Sequence, residues 1–127
     1  MFPESWLPLK NIRMTQEGFW ESSVRFSPSS EWFSGHFDEF PLLPGVTLLA
    51  LVAEVVKRQG NEQGRLLKVF GFSRVRFKRL VFPDEELRIS VAVMPPGSEA
   101  DLGFHLSCNG HKVAQGVLKA GEVVSPG

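Results

Sequence analysis

Hydrophobic residues follow two different patterns along this chain, and the change between them separates a helix from a set of strands. From Val46 to Val56 nearly every residue is apolar, and this block directly follows Pro44-Gly45. A segment that is apolar almost all the way round predicts a helix enclosed on most of its sides. Lys57-Arg58 suits the last helical turn, and Gly60 suits the position just beyond the helix.

Beyond Gly64 apolar and polar residues alternate with a period of two, which is typical of half-buried antiparallel strands. The alternation covers residues 74–78, 87–93 and 104–108, and two more strands are expected over 19–26 and 112–120. Turn signals separate them at Pro83-Asp84, at residues 95–97 and at Asn109-Gly110, which strongly favours a hairpin. The pattern predicts an α+β fold, with an antiparallel sheet wrapped around one long central helix.

Length and composition limit the possible architectures. The chain has 127 residues, of which 43% are hydrophobic and 22% charged, so a disordered or fibrous protein is excluded. We find no internal repeat or linker, and we expect residues 1–127 to form one domain. A single helix wrapped by a sheet leaves one sheet edge and part of the helix uncovered, which predicts a homodimer or a higher oligomer.

Charge and cysteine content exclude several functions. Fourteen basic and fourteen acidic residues balance, which argues against a nucleic-acid partner. The single cysteine, Cys108, allows no intrachain disulfide and no cysteine-based metal site, and we expect no metal and no cofactor. The longest apolar run has no membrane-spanning length, and the N-terminus has no secretory signal pattern. A cytoplasmic location is therefore expected.

Of the three histidines, His36 is the best candidate for chemistry. It lies between Gly35 and Phe37 in a segment rich in aromatic residues and proline, just ahead of the predicted helix. His105 lies on the polar side of a predicted strand and His111 in a predicted hairpin turn, where solvated side chains are expected.

Two motifs resemble those of a known enzyme family. The run from Trp32 to Val46, with Gly-His-Phe followed by Pro-Gly-Val, resembles the signature of the hotdog-fold 3-hydroxyacyl-[acyl carrier protein] dehydratases. The run from Arg76 to Pro83 resembles the strand and turn of the same family, with Asp84 and Glu85 replacing its Gly-Asp. The resemblance extends over most of the chain, from about Phe19 to Ala120, and implies the hotdog fold.

The resemblance also implies an active site. His36 matches the histidine that removes the α-proton of a 3-hydroxyacyl thioester, and an imidazole with a pKa of about 6.5 suits this exchange. Gly45 matches the residue whose backbone N–H binds the thioester carbonyl, and a helix N-terminus stabilises a developing enolate oxygen. The remaining residues expected to contact substrate are Phe37, Leu42, Val46 and Ala50.

One position departs from the family pattern. The related dehydratases carry Glu or Asp fourteen residues after the histidine, where this chain has Ala50. Glu54 is the nearest substitute, about 6 Å further along the same helix face. Two interpretations of Glu54 remain open: a catalytic acid in a second position, or a structural residue paired with Arg58. The family usually has an amide side chain at the position of Glu54.

The predicted function is that of a lyase that dehydrates 3-hydroxyacyl thioesters to 2-enoyl thioesters in fatty acid or polyketide-like biosynthesis. Its substrate is expected to be carried by acyl carrier protein or coenzyme A. Two alternatives are a non-catalytic partner subunit that binds acyl thioesters, favoured by the missing acid at Ala50, and an acyl thioesterase. The basic strand residues would attract an acidic carrier protein if they lie near the tunnel mouth; they are Arg74, Arg76, Lys78 and Arg79.

Overall fold

The helix and strands predicted from the sequence are present in the computed structural model, which describes residues 7–29 and 45–123. In chain order the elements are β1 (Arg13–Met14), β2 (Phe19–Arg25), α1 (Gly45–Glu62), β3 (Leu67–Phe77), β4 (Glu86–Ala92), β5 (Glu99–Cys108) and β6 (His111–Glu122). The strands form one antiparallel sheet in the order β1-β2-β4-β5-β6-β3. The predicted α+β arrangement is confirmed.

The hydrophobic core lies between α1 and one face of the sheet. The helix packs against β2, β3 and β4 through a broad apolar face. Buried side chains from the strands meet this face at every second residue, as the pleat of a strand requires. The fully buried apolar residues of the helix are Leu51, Val52, Val55 and Val56, and their strand counterparts include Val24, Leu87, Ile89, Leu106 and Leu118.

The helix ends later than the sequence pattern predicts. Gly60 lies inside α1, and Lys57-Arg58 does not lie in the last turn. The left-handed residue that ends the helix is Gly64, with φ +69°. The N–H of Arg65 donates to the carbonyl of Gly60 at 2.8 Å and that of Gly64 to the carbonyl of Asn61 at 3.3 Å, which together form a Schellman motif.

Close packing, and not helix termination, accounts for glycine at position 60. A Cβ atom there would lie 2.6 Å from the carbonyl oxygen of Arg65 and 2.8 Å from Cγ of Leu67. The chain that leaves the helix therefore passes directly over Gly60. The sequence pattern alone could not distinguish this requirement from that of a helix end.

The hairpin between β5 and β6 has the turn that the sequence predicts. Asn109 and Gly110 have φ values of 50° and 80°, and Cys108 is paired with His111 across the turn. Two consecutive residues with positive φ are typical of a type I′ turn, whose twist matches that of the flanking strands. His111 is thus the first residue of β6 and not a turn residue.

Strand β3 is longer and less regular than predicted. It begins at Leu67, and its register against β6 shifts between Ser73 and Arg76. Arg74 occupies this bulge with φ 54°. The extra residue interrupts the simple alternation predicted for residues 74–78, and Lys78 lies just beyond the strand.

Candidate active site at the start of the helix

The candidate site begins where the backbone of Gly45 meets the ring of Phe77. A Cβ atom at Gly45 would lie 3.0 Å from Cζ and 3.2 Å from Cε1 of Phe77, so the ring covers the first residue of α1. The first turn of the helix contains no acidic residue. The backbone N–H groups of this turn have no partner within the helix and carry a partial positive charge, and no side chain of the turn neutralises that charge. The start of the helix is therefore suited to bind a carbonyl or enolate oxygen.

Thr47 adds a buried hydroxyl to the same turn. Its side chain is fully buried, and Oγ1 has no hydrogen-bond partner among the described residues. A buried hydroxyl without a partner is costly, which makes this group notable beside a helix N-terminus. Thr47 was missed as a candidate; the available signal was a polar residue within an apolar block.

One stripe of α1 is incompletely covered. Val46 is exposed, and Ala50 and Ala53 are half-buried, whereas the residues that face the sheet are fully buried. These three positions follow each other at spacings of four and three residues, and therefore share a helix face. The sequence predicts a helix enclosed on most of its sides, and this stripe is a side on which the described residues leave it uncovered.

Glu54 is buried and lies beside a cation. Its side chain is 6% exposed, and its Oε2 lies 3.5 Å from Nε of Arg58, one helical turn away. Arg58 also donates hydrogen bonds to the carbonyl oxygens of Leu7 at 3.1 Å and Leu9 at 3.3 Å. Oε2 of Glu54 accepts no hydrogen bond from the part of the chain that the structure describes. The carboxylate is thus held in an ion pair that joins the helix to the N-terminal segment.

The other predicted site residues lie outside the described part of the chain. These are His36, Phe37 and Leu42. Of the candidates within it, Gly45, Val46 and Ala50 share the first two turns of α1, and Glu54 follows one turn later. Phe77 was missed as a site residue because its strand motif predicts its element but not its contact with Gly45.

The four basic residues at the end of β3 do not form one cluster. Arg79 is paired with Glu85, which also accepts the N–H of Phe82 at 2.9 Å. The hydrogen bond from Arg79 lowers the pKa of Glu85 below its usual value, with a smaller contribution from the N–H of Phe82. Arg79 therefore stabilises the turn at Pro83-Asp84 through its ion pair with Glu85, whereas Arg74 and Arg76 belong to the bulge of β3.

His105 is less exposed than the sequence predicts. It is half-buried on β5, and its ring makes an edge-on contact with Phe19 at 5.8 Å between centroids. Burial, and secondarily the charge of Lys112, lowers the pKa of His105 below 6.5. The prediction of a solvated side chain is therefore wrong for His105, while His111 is exposed as expected.

Residues 7–29 and 45–123 contain neither a metal-binding cluster nor a membrane-spanning helix. No group of three or more His, Cys, Asp or Glu side chains is arranged there to hold a metal ion. Within the same ranges, no helix combines the length and the hydropathy needed to cross a membrane.

Comparison with known sequences indicates a family. Residues 12–117 match the model of the ApeI-like family, described as ApeI dehydratase. The 3-hydroxyacyl-[acyl-carrier-protein] dehydratase FabZ of Geobacillus thermodenitrificans is 40% identical over 72 residues, which are 54% of this chain and 50% of that protein. The FabZ of Bacillus cereus is 38% identical over 68 residues, 50% of this chain and 46% of that protein. The matches thus span about half the length of these relatives.

Solved structures share the architecture. The dehydratase heterocomplex ApeI:P from Xenorhabdus doucetiae superposes with a TM-score of 0.70 at 20% identity, over 89% of this chain and 96% of that one. The E. coli PaaI protein gives a TM-score of 0.71 at 18% identity, over 92% and 85%. A hypothetical thioesterase from Streptococcus pneumoniae, solved with coenzyme A, gives 0.69 at 12% identity, over 92% and 88%. The chain adopts the hotdog fold and belongs to the ApeI-like dehydratase family.

Proposed function

We propose that this protein is a lyase that dehydrates 3-hydroxyacyl thioesters to 2-enoyl thioesters, with the acyl group carried by acyl carrier protein or coenzyme A. The observation that carries the proposal is the start of α1 in a chain of a dehydratase family: the ring of Phe77 lies against Gly45, and the first turn of the helix holds no acidic side chain. The backbone N–H groups of a first helical turn have no partner within the helix. A thioester oxygen that binds these N–H groups gains stabilisation as negative charge develops on it.

The proposed reaction uses His36 as the base. His36 removes a proton from C2 of the substrate, and the electron pair moves onto the thioester oxygen beside Gly45. The enolate then collapses to form the C2–C3 double bond, and the bond from C3 to the hydroxyl oxygen breaks. The imidazolium of His36 returns its proton to the departing hydroxide, and water leaves. An imidazole can carry out both transfers because its ordinary pKa lies near neutral pH.

The helix stripe beside Gly45 suits the acyl chain. Val46 and Ala50 present small apolar side chains along one face of α1, and neither is fully buried within this chain. The short side chain of Ala50 leaves free the space that a Glu or Asp side chain would fill in the related dehydratases. We propose that these residues, with Phe37 and Leu42, contact the acyl group.

A second copy of the chain is part of the proposal. Strand β3 has eleven residues and pairs only with β6 among the described strands, so its other edge is open. Phe70 and Phe77 on β3 are 58% and 53% exposed. An open edge of this length with exposed aromatic residues favours strand pairing between protomers. Light scattering coupled to gel filtration should give at least twice the 14.2 kDa mass of one chain.

Hydration of an enoyl thioester tests the proposed activity. The loss of the enoyl absorbance of crotonyl thioesters should be catalysed by the wild-type protein and abolished in His36→Ala. The replacement of the exposed His111 by Gln serves as a matched control and should retain the rate. Equal rates for wild type and His36→Ala would refute the role of His36, and release of free thiol would indicate thioester hydrolysis instead.

A partner-subunit function is the second candidate. The neutral Ala50 favours it, and the neighbour of known structure from Xenorhabdus doucetiae is a heterocomplex. In such an assembly the missing acid would come from a different chain. A protein that is inactive alone and active with a second hotdog chain bearing a helix carboxylate would support this function over the first.

A further inference from the structure

The face of the sheet opposite α1 carries a concavity of about 870 Å³ that the proposed dehydration does not use. On β5, Phe104 and Leu106 are buried, so His105 between them faces away from the helix. We call this feature the outer concavity. The lining residues used below are Phe19, Arg74, Arg76, His105, Lys112 and Gln115.

The outer concavity has a marked excess of positive charge. Three of its lining residues are cations, namely Arg74, Arg76 and Lys112, and none is a carboxylate. The chain has eight arginines, and six of them are ion-paired within the described residues: Arg13, Arg25, Arg58, Arg65, Arg79 and Arg88. Arg74 and Arg76 alone have no hydrogen-bonded or ion-paired side-chain partner in that part of the chain. Both arginines without such a partner among the described residues therefore line the same concavity.

The neutral residues add hydrogen-bond donors. Nζ of Lys112 donates to Oε1 of Gln115 at 2.8 Å. This bond occupies the oxygen of the amide, and the two Nε2 hydrogens of Gln115 stay available. Guanidinium, ammonium and amide groups all donate hydrogen bonds that phosphate oxygens can accept.

Arg74 occupies a backbone conformation that favours glycine. Its φ of 54° lies in the left-handed region, where an L-residue costs about 1–2 kcal/mol. A bulge with a left-handed first residue usually has glycine there. Strained positions of this kind often have functional roles, and the strained residue here brings one of the two unpaired guanidinium groups to the concavity.

We propose that the outer concavity binds the phosphate of a phosphorylated small molecule. Arg74 and Arg76 suit phosphate because their planar guanidinium groups donate two parallel hydrogen bonds. The volume lies within the range of small-molecule sites, about 300–1,000 Å³. The aromatic pair of Phe19 and His105 forms a wall against which the flat or apolar part of such a ligand packs.

Calorimetric titration at physiological ionic strength tests the proposal with three probes. Inorganic pyrophosphate measures the phosphate interaction alone, ADP adds a flat ring, and coenzyme A carries the phosphates of a possible thioester substrate. Binding of pyrophosphate or ADP with no gain for coenzyme A would identify a separate phosphorylated ligand. Tighter binding of coenzyme A would identify the phosphates of the substrate carrier as the source. Each result supports a phosphate site.

Arg74→Gly is the decisive variant because it removes the guanidinium and relieves the backbone. We expect the affinity of the tightest probe to fall about tenfold to a hundredfold, with the melting temperature unchanged or raised. Asn109→Gly gives the same kind of backbone relief at φ 50° without a change in charge. Lys119→Gln removes an exposed charge of β6 outside the concavity. Both controls should bind like the wild type.

Two outcomes would overturn the proposal. One is the absence of binding for all three probes, and the other is equal affinity of Arg74→Gly and wild type. As an independent readout, a bound phosphate should raise the pKa of His105, measured from its imidazole proton shifts. The site does not depend on the proposed dehydration, since a protein without enoyl hydration activity is expected to bind the same probes.

Discussion

Nε of Arg58 lies 3.5 Å from Oε2 of Glu54, and the same guanidinium donates to the carbonyl oxygens of Leu7 and Leu9. Arg58 therefore joins a buried carboxylate of the helix to the segment that precedes β1. The contacts agree with the structural interpretation of Glu54, since they account for its charge without a substrate. They also make the two interpretations separable by experiment.

Glu54→Gln distinguishes an acid from a structural residue. Glutamine keeps the shape of the side chain but does not donate a carboxylic proton. If Glu54 is structural, as its pairing with Arg58 favours, enoyl hydration should remain within about threefold of wild type. A loss of about a hundredfold or more, measured as kcat for the crotonyl thioester, would instead identify Glu54 as the acid.

Arg58→Leu should destabilise the protein more than Glu54→Gln does. The substitution leaves a buried carboxylate without its cation and removes two hydrogen bonds to backbone carbonyls, at a cost of about 1–3 kcal/mol. The double variant with Glu54→Gln should recover part of this loss because the unpaired charge is gone. Denaturant unfolding of the four proteins provides the measurement. Strict additivity of the two changes would contradict an interaction between the residues.

Gly45→Ala should impair catalysis with little effect on stability. The new Cβ meets Phe77 at 3.0 Å, and the half-exposed ring can move away from it. We expect kcat/KM for enoyl hydration to fall about tenfold to a hundredfold, because in the proposed reaction the thioester oxygen binds beside this ring and a displaced ring would misplace the substrate. Gly71→Ala in β3 is the control, since no atom lies within 4 Å of a Cβ at that position. An unchanged kcat/KM would place the substrate elsewhere.

Gly60→Ala should destabilise the protein although alanine is the better helix former. Its Cβ would lie 2.6 Å from a backbone oxygen, which cannot move as a flexible side chain does. Overpacking of this kind costs about 1–3 kcal/mol, more than the gain of about 1 kcal/mol in helix propensity. Thermal unfolding measures the net effect, and a raised melting temperature would show that the chain after α1 relaxes freely.

His105 should make stability fall on acidification. Its pKa is lower in the folded protein than the ordinary value of 6.5, mainly through burial. The unfolded chain therefore takes up a proton at higher pH than the folded one, and folding is progressively disfavoured as pH falls from about 6.5 through the folded pKa. In His105→Phe the slope of unfolding free energy against pH over this window should be smaller. An identical slope in wild type and variant would exclude His105 as its source.

The strand and turn pattern was largely predictable because it depends on local chemistry. The Asn109-Gly110 turn and the alternation in β4 and β5 follow from positive φ preferences and from the pleat of a half-buried strand. The helix end was not predictable in the same way. Gly60 and Gly64 look equivalent as stop signals, and only the path of the chain beyond the helix shows that one permits close packing and the other adopts φ +69°.

The candidate site could be predicted only in part. Motif resemblance indicated Gly45 as the start of the helix, and α1 begins at that residue. The same sequence motif contained Phe77 but could not indicate that its ring lies against Gly45, because this contact depends on how β3 crosses the helix. The burial of Glu54 was similarly open, since an exposed i,i+4 pair and a buried one have the same sequence spacing.

The sequence by itself determined which segments form the helix and most of the strands, and which residues lie in the first turns of the helix. Those properties depend on side-chain periodicity and turn preferences, which act over a few residues. The tertiary structure decided which side chains meet: Glu54 with Arg58, Phe77 with Gly45, and the bulge residue Arg74 with the outer face of the sheet. Such contacts depend on strand register and on the packing of segments that are distant in sequence. The same local sequence pattern can therefore occur with or without the contact.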